Sequence, residues 1–105
     1  MTGQFVKVCS LDDIEERRTR AVEIDGRTIL LARLNGHVYA LQNMCTHDGG
    51  VLGEADIVER EIECPRHGAR FNVTTGEATR MPAVAELETF EVKIENGNIL
   101  VAVNW

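Results

Sequence analysis

Two short pairs of metal-binding residues, close together in the chain, constrain its fold more than any other feature. Cys45-Thr46-His47 is followed by sixteen residues and then by Cys64-Pro65-Arg66-His67. Each pair runs Cys first and His second, and a shared centre requires the fold to bring the two loops together. Thiolate with imidazole suits zinc or an iron–sulfur cluster. In Cys-x-His a single residue separates the ligands, which is tight for one tetrahedral ion; paired zinc cysteines usually leave about two to four. A two-iron cluster relieves that constraint, because the Cys and His of one loop can bind different irons. On the residues alone, a zinc-stabilised interaction module stays open as the competing reading.

The two motifs, Cys45-Thr46-His47 and Cys64-Pro65-Arg66-His67-Gly68, resemble the cluster-binding loops of the Rieske family, and the gap between them fits that family's pattern. Met81-Pro82-Ala83 is similar to the proline loop that covers the cluster there. The resemblance implies one [2Fe–2S] cluster, with Cys45 and Cys64 on the inner iron and His47 and His67 on the outer one. It also implies an all-β fold of antiparallel sheets, a sandwich- or barrel-like base carrying a small inserted cluster lobe. On that reading residues 1–105 are a single domain, with the base at about 1–43 and 74–105 and the lobe at about 44–73. High-potential members place a Ser and a Tyr hydroxyl near the cluster and add a disulfide between the loops. Here Ala69 and Phe71 stand at the hydroxyl positions, no second Cys lies in the first ligand loop after His47, and Arg66 is the intervening residue of the second. The resemblance therefore points to the low-potential branch, the ferredoxins that serve aromatic-ring dioxygenases.

The 105-residue sequence as a whole limits the alternatives. A net charge of −6 argues against nucleic acid as a partner. Three cysteines, two of them taken as ligands, leave Cys9 single, so no disulfide is expected. Cys9 reads more simply as a small buried hydrophobe than as a reactive thiol. No apolar run long enough for a membrane helix is visible, which sets the expected location in the cytoplasm without a membrane partner.

Turn chemistry organises the rest. Asp25-Gly26, Asn35-Gly36 and Asn96-Gly97 are hairpin signals, since both central residues of such turns take positive φ. They separate strands over Thr19–Ile24, Arg27–Leu34 and His37–Gln42, and join a strand through Phe90, Val92 and Ile94 to Ile99–Val103. Phe5, Val6 and Val8 mark a first strand, and Ser10 caps a short helical turn. Glu15 to Arg18 reads as a solvated charge run. Ile57–Glu63 reads as one strand entering the second ligand loop, and Phe71-Asn72-Val73 leaves it. Gly49-Gly50 fits either backbone donors to an anion or a flexible turn. His37 reads as a surface or packing residue. Arg66 and Arg70 are open between partner contact and pairing with acids such as Glu63.

The expected function is one-electron transfer from a reductase to a terminal oxygenase, with no catalysis by the chain itself. Supply of electrons to another redox enzyme, such as a nitrite reductase, is the alternative within the same chemistry.

Overall fold

The computed structural model describes residues 4–44, 52–53, 55–64, 68–81 and 85–103. Among them the chain forms eleven strands and one 3-10 turn. The strands are β1 (Gln4–Ser10), β2 (Arg18–Ile24), β3 (Arg27–Leu34), β4 (His37–Gln42), β5 (Asp56–Val58), β6 (Glu61–Glu63), β7 (Arg70–Asn72), β8 (Ala78–Arg80), β9 (Thr89–Phe90), β10 (Val92–Glu95) and β11 (Asn98–Val103). They make three antiparallel sheets, ordered β1-β11-β10, β2-β3-β4-β9 and β5-β6-β7-β8. The all-β expectation holds.

The three Asx-Gly turns form where the sequence puts them. Asp25 and Gly26 have φ of 51° and 81°, Asn35 and Gly36 of 55° and 79°, and Asn96 and Gly97 of 52° and 77°. Both central residues are left-handed, which matches the twist of the flanking strands. Ser10 caps the Leu11–Asp13 turn, its hydroxyl accepting from Asp12 N–H while Asp13 accepts from Ser10 N–H. The charge run does more than face solvent. The Glu16 carboxylate accepts from Asn35 N–H and Gly36 N–H and so braces the β3–β4 turn. Those two bonds, followed by the nearby Arg33 and Arg17, hold its pKa below the ordinary carboxylate value.

Strand β3 is buried on both faces and separates two cores. Ile29 and Leu31 join Val38, Ala40, Ile99, Val101 and Val103 in the core facing the β1-β11-β10 sheet. Leu30, Ala32 and Leu34 join Leu41 in the core facing the β5–β8 sheet. The period-two pleat of a strand delivers this division without any change of backbone. Leu30 and Leu41 are cross-strand partners with no exposed surface, and truncating either to Ala would cost about 2–5 kcal/mol. The base is thus a two-sheet sandwich, and the smaller sheet packs on its outer face.

Three details differ from the sequence reading. Ile57–Glu63 is a hairpin, β5 and β6 around Glu59 and Arg60, rather than one strand. Glu59 takes φ of 58° without the usual Gly or Asn, which left no turn signal to read. The alternating run from Phe90 to Glu95 divides between two sheets: β9 pairs with β4 and β10 pairs with β11. Ile94 is consequently exposed on an edge strand. A further strand absent from the sequence reading, β8, pairs with β7 and closes the small sheet at Arg80. No helix among the described residues is long and apolar enough to cross a membrane.

Candidate cluster site

Of the four ligand candidates, Cys64 is described; Cys45, His47 and His67 lie outside the described residues, as do Gly49, Gly50, Arg66 and Pro82. Cys64 follows β6 directly. Its N–H donates to Ala69 O at 2.7 Å, and Gly68 N–H donates back to Cys64 O at 3.0 Å. These bonds extend the β6–β7 ladder by one step and close the loop between Cys64 and Ala69 at its neck. Gly68 has φ of 73°, a conformation that favours glycine, and returns the chain to β7.

Pleat alternation then sets the surroundings of the thiol. Ile62, Cys64, Ala69 and Phe71 are all buried and share the core with Leu52 and Leu87. Cys64 is a free thiol with no disulfide partner. The Ala69 and Phe71 positions bring carbon alone to this pocket, so neither offers a hydroxyl donor. On the opposite face, Glu61, Glu63 and Arg70 form an ion-paired row. Arg70 Nε lies 3.1 Å from Glu63 Oε1, Arg70 Nη1 lies 3.8 Å from Glu61 Oε1, and Arg80 Nη1 lies 3.9 Å from Glu63 Oε1.

The first loop is held at its two ends by a residue that sequence reasoning missed. Asn43, buried to 6% exposure, accepts a hydrogen bond from Gly53 N–H at 2.8 Å through Oδ1. It is the one buried polar side chain among the described residues. Beside it, Gln42 N–H donates to Glu88 O and Glu88 N–H donates to Gln42 Oε1. A polar residue between a strand and Cys45 was the available signal, but only burial separates a clasp from an ordinary turn Asn. The returning segment is fastened too: Leu87 N–H donates to Gly76 O at 2.7 Å.

The other sequence candidates fall away from this centre. His37 is exposed and rests near Tyr39, with ring centroids 6.4 Å apart. Cys9 is half-buried beside the base core. Burial first, then Asp13, raises its thiol pKa against the opposing pull of Arg20.

A free, buried Cys at the neck of a glycine-turned loop fits a thiolate cluster ligand, and the two-Cys, two-His donor set fits a mixed-ligand [2Fe–2S] cluster. The fold is that of an all-β protein whose third sheet, β5 to β8, carries one candidate cluster ligand in the loop after β6. The Rieske [2Fe-2S] domain family matches residues 4–91. The ferredoxin component of the naphthalene 1,2-dioxygenase/salicylate 5-hydroxylase systems of Ralstonia sp is 38% identical, over 96% of this chain and 97% of that protein. The solved ferredoxin of carbazole 1,9a-dioxygenase from Nocardioides aromaticivorans IC177 superposes with a TM-score of 0.90 at 33% identity, over 96% of this chain and 99% of that one. A chain in a solved complex of reduced oxygenase and oxidized ferredoxin of carbazole 1,9a-dioxygenase gives a TM-score of 0.87 at 34% identity, over 93% and 92%.

The chain belongs to the Rieske [2Fe–2S] family, and its cofactor is the Rieske cluster. It is an electron carrier, as are the ferredoxin components it matches, and not a catalytic enzyme. The zinc reading is closed by that membership.

Proposed function

We propose that Cys45, His47, Cys64 and His67 bind the cluster, and that the protein carries single electrons from a ferredoxin reductase to the terminal oxygenase of an aromatic-ring dioxygenase system. The observation that carries this reading is the match to stand-alone ferredoxin components along nearly the whole of both chains. The cluster supplies one-electron redox chemistry. This chain's own residues hold it and set its surroundings. Cys64 presents its sulfur from a loop pinned by the Ala69 and Gly68 backbone bonds. Asn43 and Gln42 keep the entry to the Cys45 loop against Gly53 and Glu88. The apolar wall of Ile62, Ala69 and Phe71 keeps water from the Cys64 side. Electron exchange with partners then belongs to the His47 and His67 side. We place the lobe at about residues 44–80, since β8 completes its sheet, and the protein in the cytoplasm, without membrane or nucleic-acid partners.

The test is elemental and spectroscopic first. Purified protein should hold two irons and two labile sulfides per chain, with nitrogen coupling in the electron paramagnetic resonance spectrum of the reduced state. His47→Ala or His67→Ala should lose the native cluster. Reconstitution with a nicotinamide-linked reductase and a ring-hydroxylating oxygenase should then show electron delivery. Transfer to a nitrite reductase and none to an oxygenase would overturn the partner assignment and leave the cluster assignment standing.

A further inference from the structure

The lobe sheet carries a row of alternating charge on the face away from the core. Glu63, Arg70 and Arg80 are successive cross-strand partners on β6, β7 and β8. Arg70 reaches both Glu63 and Glu61, and Glu63 Oε1 receives both Arg70 and Arg80. Glu61, Glu63 and Arg70 are held at 27%, 32% and 26% side-chain exposure, whereas Arg80 is 59% exposed at the end of the row. Freely solvated charges would be screened to near irrelevance; three of these four are only partly so.

The row sits beside the ligand loop. Glu63 is bonded directly to Cys64, so their Cα atoms are about 3.8 Å apart. Arg70 follows Ala69, whose carbonyl closes the Cys64 loop. The cluster side of this hairpin offers no hydroxyl at Ala69 or Phe71. Glu63 and Arg70 are the charged residues that adjoin Cys64 and Ala69 in sequence, and they pair across the hairpin. Reduction adds one negative charge to the centre, so a neighbouring cation favours the reduced state and a neighbouring carboxylate opposes it.

We propose that the Glu61–Arg70–Glu63–Arg80 row is an electrostatic trim for the cluster's reduction potential, Arg70 and Arg80 raising it and Glu61 and Glu63 lowering it. The proposal rests on Cys64 being a cluster ligand. The competing account is a purely mechanical staple across the β6–β7 hairpin. The two differ in sign. A staple is broken equally by losing either partner, while a charge trim moves in opposite directions.

Protein-film voltammetry on the cluster-loaded protein at pH 7 separates them. Arg70→Gln should lower the reduction equilibrium constant about threefold, about 30 mV at 59 mV per tenfold change. Glu63→Gln should raise it by a similar factor, and the double variant should return near the wild-type value. Raising salt from 0.1 M to 1 M shortens the screening length from about 10 Å to about 3 Å and should shrink both shifts. Shifts of the same sign, or none, overturn the proposal. Where Arg70→Gln or Glu63→Gln fails to load iron, Arg80→Gln and Glu61→Gln at the ends of the row decide. The first must lower and the second raise the potential, and any other result overturns it. Iron, sulfide and nitrogen coupling are measured on every variant. Wild-type protein lacking those signatures would instead defeat the ligand assignment.

Discussion

The base and the lobe are built from the same antiparallel pairing but are held by different means. Strands β2, β3 and β4 run six to eight residues and are joined by Asx-Gly turns, so each hairpin is specified by its own sequence. The lobe strands β5 to β8 are three residues each. Isolated short hairpins are at best marginal in water. The lobe persists because its inner face shares a core with β3 and β4, and because side chains fasten its loops: Asn43 on Gly53, and Asn72 on Thr74 and Thr75. Cys64 is a member of that core and a cluster ligand in the proposed scheme, so the metal and the packing stabilise one element. A region that local sequence cannot sustain is sustained by partners distant in the chain.

The strongest way to break this comparison is to remove the iron. Hydrogen exchange on apo-protein should show the β2–β3–β4 amides still protected while those of β5 to β8 lose protection, with a lower thermal midpoint. An unchanged midpoint would show that the cluster does not hold the lobe.

Two glycines of nearly equal φ sharpen it. At Gly36, φ 79°, a Cβ would meet nothing within 4 Å; at Gly76, φ 78°, it would lie 2.2 Å from Leu87 O. Gly36→Ala should cost only the left-handed penalty, about 1–2 kcal/mol. Gly76→Ala adds forced displacement of the Leu87 backbone and should cost about 2–5 kcal/mol in all. Urea denaturation of both variants checks the difference, and equal losses would remove the argument for a tight lobe–base junction.

The lobe core also has a functional signature. Rieske potentials span roughly −150 to +300 mV, and this one should lie toward the bottom because Ala69 and Phe71 donate nothing. Ala69→Ser with Phe71→Tyr should raise it by roughly 100 mV, since charge-assisted hydrogen bonds contribute about 1.5–3 kcal/mol before discounting for geometry. Voltammetry of both proteins decides, and a wild-type value near the top of the span would defeat the low-potential assignment.

Side-chain clasps come next. Asn43→Ala leaves the Gly53 N–H without its acceptor and should cost about 1–3 kcal/mol, with faster loss of iron to a chelator. Chelation at the wild-type rate would show that Asn43 does not guard the loop. The smallest effect belongs to the base. The folded Glu16 pKa is lowered below its unfolded value, so its contribution is full above the unfolded pKa and is lost as pH falls through the folded one. Glu16→Gln should therefore lower stability slightly near neutral pH and flatten the acid limb of the stability profile, read by thermal melts across that range.

Local chemistry was legible from the chain alone. Asx-Gly dipeptides state three turns and Ser10 states a cap, because each acts through its own side chain or its neighbours' φ, and the two Cys/His pairs name the ligands proposed above. Ala69 and Phe71 were equally readable as residues without hydroxyls. What only the tertiary structure decided depends on sums over residues far apart in sequence. The burial of β3 on both faces requires a sheet on either side. The division of residues 89–95 between two sheets depends on whether β4 or β11 is nearest at each step. The Glu59–Arg60 turn lacks any favoured turn residue and forms because β6 pairs with β7, whose follower Val73 donates to Arg60 O. Asn43 becomes a clasp, and Glu63 and Arg70 become a pair, only once packing excludes water and register sets them opposite each other. A sequence states which groups are available for such contacts, and the free energy of burying them together decides which contacts form.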